Sequence, residues 1–248
     1  MRAGLSILLA ALCLAMAAPA RALDADATFK RANADYSAKK FKDAISEYES
    51  LVKSGQWNPS LFYNLGNAYF RVDDLGRAIL NYERALAIDP HQPEARANLQ
   101  LLRDRARALE LRPSWVEEHL DYLTRDQYTW LAAVGFWGAL AIIAGLYFSE
   151  RRPVVWIFAL VLLGVIAAGS AAAVYELEKG AAGRNLAIVT GNNVQARVAT
   201  AESAGSILAL PPGSEIKILS TRGEWDYAAL PNDLQGWVPA KSAERVRL

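Results

Sequence analysis

The chain has 248 residues, of which 53% are hydrophobic, and its 27 Lys and Arg side chains nearly balance 26 Asp and Glu side chains. A net charge of +1 lacks the basic excess that is typical of nucleic-acid-binding proteins. A single cysteine excludes a disulfide framework. One cysteine and two histidines also exclude a zinc site built from Cys and His, and they exclude a Ser–His–Asp triad that could draw on several histidines. We therefore expect a non-enzymatic protein with no catalytic residue, metal or cofactor, and with no nucleic acid among its partners.

Residues 1–22 have the pattern of a secretory signal peptide. Arg2 precedes an apolar run from Ile7 to Met16, and Ala20-Arg21-Ala22 fits a cleavage site between small residues. An uncleaved anchor is the alternative, but the apolar run is short for a membrane span. The pattern predicts that the chain is exported from residue 23 onward.

Two uncharged apolar stretches, 128–148 and 154–175, each have about the 20 residues that a membrane-spanning helix needs. Between them, the turn at 149–153 contains Arg151 and Arg152, which the positive-inside rule places in the cytoplasm. We therefore predict a multi-pass protein of the bacterial inner (cytoplasmic) membrane, with the parts before and after the hairpin on the periplasmic side. The predicted linkers are 113–127 and 176–182.

Residues 23–112 contain a sequence repeat with a period of 34 residues. Ala44 recurs as Ala78, and Tyr48 recurs as Tyr82. The copies are assigned to 25–58 and 59–92, with a partial or capping copy at 93–112. The second copy resembles a tetratricopeptide repeat at Phe62, Leu65, Gly66, Tyr69, Ala78, Tyr82, Ala85 and Pro90. The resemblance implies an all-α solenoid in which small residues mark where two helices cross closely.

In tetratricopeptide repeats, the first helix of each pair lines a concave groove, and the resemblance carries these positions onto this chain. The groove positions are Phe29, Asn33, Tyr36 and Ser37 in the first copy and Tyr63, Asn67, Phe70 and Arg71 in the second. One hypothesis is a peptide clamp, in which amide side chains hold the backbone of a ligand and aromatic rings bury its side chains. The alternative is that the asparagines face solvent and the aromatic rings pack locally.

Residues 183–248 lose the helical periodicity and predict six short strands separated by turns. The predicted strands are Leu186–Val189, Val194–Arg197, Ser206–Leu210, Glu215–Leu219, Trp225–Leu230 and Gly236–Pro239. Strands this short favour a small barrel. The segments 212–219 and Gly236-Trp237-Val238 resemble a bacterial SH3-like domain. Trp225 and Trp237 are either core and staple residues of that barrel or, together with Tyr227, an aromatic platform for a peptide or a wall fragment.

The expected fold class is multi-domain: an all-α tetratricopeptide-repeat solenoid, a two-helix transmembrane hairpin and a small all-β SH3-like barrel at 183–248. This order, with Phe29-Lys-Arg-Ala-Asn33 and Tyr63-Asn-Leu-Gly-Asn67, resembles the E-type proteins of the Bat (Bacteroides aerotolerance) operons. The resemblance implies a scaffold for envelope integrity or oxidative-stress tolerance. It also implies von Willebrand A-type membrane proteins and a MoxR-type ATPase as partners. The alternative is a cell-wall tether or sensor that binds peptidoglycan or its peptides through the SH3-like domain.

Overall fold

The computed structural model describes residues 24–113, 115–120, 123–148, 154–179 and 183–248. The chain divides into two compact units. The first unit joins the helical region up to Glu110 with 187–230 and 234–248, and the second contains 111–186 and 231–233. The predicted signal peptide and the predicted cytoplasmic turn lie outside the described residues.

Five helices form the repeat region of the first unit. They are α1 (24–37), α2 (Phe41–Lys53), α3 (Pro59–Arg71), α4 (Leu75–Ile88) and α5 (Pro93–Ala106). Helix α3 begins where Asn58 accepts a hydrogen bond from the Leu61 amide and Pro59 supplies a favourable first residue. Asp74 caps α4 in the same way, by accepting from the Arg77 amide.

Helices α3 and α4 cross closely at Gly66. A Cβ atom at this position would lie 2.9 Å from two ring carbons of Tyr82 and 3.2 Å from the carbonyl oxygen of Ala78. Tyr82, Ala78 and Ala85 are all fully buried. The close crossing expected from the small residues is therefore present in the second copy.

Seven strands form one antiparallel sheet in the order β3-β2-β6-β5-β4-β1-β7. They are β1 (Leu186–Val189), β2 (Val194–Arg197), β3 (Ser206–Leu210), β4 (Glu215–Arg222), β5 (Trp225–Ala229), β6 (Gln235–Pro239) and β7 (Ala243–Arg245). Strand β7 was not predicted, and it pairs with β1. One face of the sheet carries an apolar core that includes Val189, Ile216 and Val238.

The predicted barrel is not closed, since β3 and β7 remain the two edges of the sheet within the described residues. Helix α4 lies beside the β7 edge: Nη2 of Arg84 donates a hydrogen bond to the carbonyl oxygen of Arg245 over 2.9 Å. This edge thus has a side chain of α4 as a hydrogen-bond partner and does not pair with β3.

The sheet packs against the repeat within the first unit. The Leu109 carbonyl accepts from the Glu215 amide (2.8 Å), and the Leu109 amide donates to Oγ of Ser214 (3.0 Å). Next to them, Gly213 has a φ of +86°, and a Cβ atom there would lie 2.2 Å from Cδ1 of Ile79. The repeat and the sheet are therefore parts of one packed body, a question that the sequence leaves open.

The second unit contains α6 (Trp115–Leu120) and two long helices, α7 (Arg125–Phe148) and α8 (Val154–Lys179). Both long helices have the length and apolar composition needed to cross a membrane. They contact each other at Gly135, where a Cβ atom would lie 3.0 Å from the carbonyl oxygen of Leu163 and 3.1 Å from Cβ of Ala167. Glycine thus allows the two helices to approach closely.

Candidate functional site

Asn33, the groove asparagine predicted in the first copy, uses its carbonyl oxygen inside the repeat. Its Oδ1 accepts hydrogen bonds from the Tyr48 hydroxyl (2.5 Å) and from Nδ2 of Asn64 (3.0 Å). Tyr48 lies 15 residues later on α2, and Asn64 lies 31 residues later on α3. Three helices are therefore joined at this one amide.

The second copy repeats the same arrangement at Asn67. Its Oδ1 accepts from the Tyr82 hydroxyl (2.6 Å) and from Nδ2 of Asn98 (3.3 Å), again 15 and 31 residues later. Asn98 also reaches the hydroxyl oxygens of Tyr82 (3.4 Å) and Tyr63 (3.5 Å). The asparagine–tyrosine–asparagine network is thus a repeated feature of the fold.

The two tyrosines of this network are buried and remain protonated hydroxyl donors. Burial raises the pKa of Tyr48 to about 12, and burial raises the pKa of Tyr82 well above its ordinary value. Both hydroxyls donate to Oδ1, so neither contacts the amide nitrogen of Asn33 or Asn67. Both asparagine side chains are half-buried.

The predicted groove aromatics are placed in equivalent pairs. The rings of Phe29 and Tyr48 lie 5.9 Å apart, and the rings of Tyr63 and Tyr82 are separated by the same distance. Tyr36 packs edge-on against Phe41, with ring centroids 5.4 Å apart. The aromatic side chains therefore do pack locally, as in the alternative interpretation, but they are half-buried and keep part of their surface exposed.

Two arginines at equivalent repeat positions lie over aromatic rings. Arg71 stacks on Phe41, with 4.7 Å between the guanidinium carbon and the ring centroid. Arg105 has the same repeat position as Arg71. Its guanidinium carbon lies 5.5 Å from the ring centroid of Phe70, and its Nη2 pairs with Oδ1 of Asp73 at 2.7 Å. These contacts hold the cationic groups beside the predicted groove residues.

Leu101 was not predicted as a site residue, although the 34-residue period gives it the same repeat position as Asn33 and Asn67. Its side chain is 61% exposed on α5. The signal was in the sequence, because extending the period by one copy reaches this position. At this repeat position, α5 therefore has an apolar side chain, whereas α1 and α3 have amides.

The three aromatic residues predicted in the last domain share one face of the sheet. In the pairing of β5 with β6, Tyr227 lies opposite Trp237 and Trp225 lies opposite Pro239. The rings of Tyr227 and Trp237 are 5.0 Å apart, and the Tyr227 hydroxyl donates to Oε1 of Gln235 over 3.0 Å. All three aromatic residues are half-buried and stand outside the apolar core of the sheet.

In the part of the chain that the structure describes, no group of three His, Cys, Asp or Glu side chains is arranged to hold a metal ion. His91, in the turn before α5, is exposed, and its backbone amide donates to Oδ1 of Asp89 over 3.0 Å.

Comparison with known families places a tetratricopeptide repeat at residues 59–92. These are the bounds of the second sequence copy and contain α3 and α4. Comparison with the curated proteins finds no match for the chain. Helical repeats of this kind present concave surfaces that bind other proteins. The chain therefore contains a tetratricopeptide repeat, and this repeat is an interaction module.

Proposed function

We propose that the protein is a non-enzymatic, membrane-anchored scaffold that binds protein partners through the face formed by α1, α3 and α5. The repeat at 59–92 supports a role in protein–protein interaction. The observation that carries the proposal is the repeated network at Asn33 and Asn67, in which both carbonyl oxygens are used internally. Each amide nitrogen is then oriented to donate to a backbone carbonyl of an extended peptide.

The proposed ligand extends along the three helices. Phe29, Tyr36, Tyr63 and Phe70 offer half-buried aromatic surface beside the amides. Exposed Leu101 offers an apolar contact at the third position of the row. This arrangement fits a peptide that presents backbone carbonyls to the asparagines and apolar side chains to the rings and to Leu101.

Anchoring in the membrane is proposed for α7 and α8. Their large apolar side chains, such as Trp137 and Phe158, are exposed, as expected for helices whose solvent is lipid. The described parts of the two helices carry charged side chains only near their ends, at Arg125, Asp126, Glu176, Glu178 and Lys179. We place the hairpin in the bacterial inner membrane, with the repeat-and-sheet unit on the periplasmic side.

The proposed setting is a Bat-type envelope complex, with von Willebrand A-type membrane proteins and the MoxR-type ATPase system as partners. The support for it is the order of repeat, apolar hairpin and strand-rich region along the chain.

The test is affinity capture of the tagged, detergent-solubilised chain after mild crosslinking, followed by mass spectrometry. The variant is Asn33→Asp with Asn67→Asp. An aspartate keeps an acceptor for the Tyr48 and Tyr82 hydroxyls but removes the amide donor. We expect recovery of von Willebrand A-type proteins with the wild type, and about tenfold lower recovery with the variant. Alanine is avoided because it would leave two buried hydroxyls without their acceptor, at about 1–3 kcal/mol each.

The matched control is Asn192→Asp with Asn232→Asp, which adds the same charge at two exposed loop positions. Recovery should not change in this control. Equal recovery by the groove variant and the control would show that the partner does not bind at the asparagines. Recovery of wall-synthesis or wall-hydrolysis proteins alone would reject the Bat-type setting and favour a wall tether.

A further inference from the structure

The sheet has an aromatic face that the scaffold role does not use. Along β5 and β6, Ala228 and Val238 point into the core and are fully buried, whereas their neighbours in sequence point the other way. Trp225, Tyr227 and Trp237 therefore lie on the opposite face from the core.

Two of the aromatic rings on this face pack against each other. Tyr227 and Trp237 are cross-strand partners with ring centroids 5.0 Å apart and planes inclined by 46°. All three rings are half-buried, so each presents part of its surface without protruding. The result is an aromatic surface across two adjacent strands.

Cationic side chains border this surface on both sides. In the strand register, Arg222 lies opposite Trp225 and Lys217 lies opposite Ala229 on β4, whereas Arg197 of β2 lies opposite Trp237. Partners in register point to the same face of a sheet. The one carboxylate at a described strand position of this face is Glu215 at the start of β4, and it is paired with Arg103. Glu224 lies in the turn between β4 and β5.

We infer that this aromatic–cationic face binds an acidic polysaccharide, a chain of pyranose rings that carry carboxylates. The C–H face of a pyranose is apolar and suits the electron-rich face of an indole or phenol ring. The carboxylates pair with Arg222, Lys217 and Arg197 through charge-assisted hydrogen bonds. The surface is made of other residues than the peptide-binding face of the repeat, so the two can be tested separately.

An anionic lipid surface is the competing occupant of an aromatic and basic face. Binding to lipid by such a face relies on apolar side chains that enter the headgroup region. Here the three rings are half-buried, and Tyr227 and Trp237 pack against each other, which suits stacking on a flat ring more than insertion. The polysaccharide is therefore the occupant that the geometry favours.

The test measures retention of the full chain, in detergent, on immobilised polygalacturonate. Polyglutamate serves as a polyanion without sugar rings, and dextran serves as a sugar polymer without charge. We expect retention on polygalacturonate that weakens with salt, about tenfold weaker binding to polyglutamate, and none to dextran. Trp237→Ala should weaken polygalacturonate binding about tenfold.

Two further variants keep the test decisive. Arg222→Gln changes an exposed position at the end of β4 and should weaken binding without affecting the fold. Trp57→Ala removes an exposed tryptophan from the repeat region and should change nothing. Equal binding to polygalacturonate and polyglutamate, or binding insensitive to Trp237→Ala and Arg222→Gln, would overturn the inference. Binding only to vesicles that contain phosphatidylglycerol would also overturn it and assign the face to lipid.

Discussion

Arg103 on α5 is paired with three carboxylates in the repeat-and-sheet unit. It contacts Glu83 at 2.5 Å, Glu110 at 3.2 Å and also Glu215 of β4. Glu83 and Glu215 are largely shielded from solvent, and one guanidinium cannot neutralise both of them and Glu110 together. Burial raises the pKa of Glu83 to about 7, with Arg103 lowering it and the nearby Glu215 and Glu110 adding to the rise.

Glu83 should make the stability of this unit depend on pH near neutrality. Its pKa is raised above the ordinary value of 4.5, so the folded state holds a proton that the unfolded state releases. The stabilisation is complete below about pH 4.5 and is lost as the pH rises through about 7, up to on the order of 3 kcal/mol. Urea unfolding of the detergent-solubilised chain at pH 5.5 and 8, followed by circular dichroism, should show the loss.

Glu83→Gln should reduce this pH dependence because glutamine does not titrate. Glu110→Gln is the matched control, since Glu110 contacts the same arginine but is 56% exposed. If the wild type and Glu83→Gln lost the same stability between pH 5.5 and 8, Glu83 would not be the titrating group.

At the scale of helices and strands, the local patterns of the sequence were informative. The strands β1, β2 and β3 have the bounds that the alternation and turns predict. Strand β7 was missed because Ala243-Glu244-Arg245 is short and has no apolar alternation. It exists because Ala187, Ile188 and Val189 of β1 provide backbone partners for it. A strand of this kind is defined by its neighbour more than by its own residues.

The crossing of α3 and α4 should not tolerate a methyl group at Gly66. Alanine normally stabilises a helix relative to glycine by up to about 1 kcal/mol. At this position, the new Cβ would lie 2.9 Å from the Tyr82 ring, so Gly66→Ala should instead destabilise the chain by about 1–3 kcal/mol. Gly164→Ala on α8, where nothing lies within 4 Å, is the control in the same unfolding measurement. A stabilised Gly66→Ala variant would contradict the close crossing.

For the whole molecule, the main structural result is that the repeat and the sheet pack as one unit. Arg84 of α4 is buried, donates to the Arg245 carbonyl of β7, and lies 3.6 Å from Glu244. Burial lowers the pKa of the Arg84 guanidinium. The contact is polar as well as apolar, which favours one specific docking geometry over nonspecific association.

Gly213→Ala should weaken this docking. The substitution places a side chain at a φ of +86° and brings its Cβ to 2.2 Å from Cδ1 of Ile79 on α4. Gly223→Ala is the matched control, because its φ is +60° but nothing lies within 4 Å. We expect Gly213→Ala to cost about 2 kcal/mol more than the control. Hydrogen exchange should accelerate along α4 and β1 only in Gly213→Ala; the same protection in both variants would contradict the docking contact.

The 34-residue period and the apolar stretches were sufficient to locate the repeat, the two long helices and six of the strands, because these elements depend on local spacing. The period also places Asn33 with Asn67, and Tyr63 with Phe29, at equivalent positions. It does not reveal that Tyr48 and Asn64 occupy the Asn33 carbonyl, since these partners lie on other helices. The open sheet and its docking on α4 depend on contacts between residues more than 100 positions apart, such as Arg84 with Arg245. Such contacts form only when the chain is packed, and no local pattern encodes them.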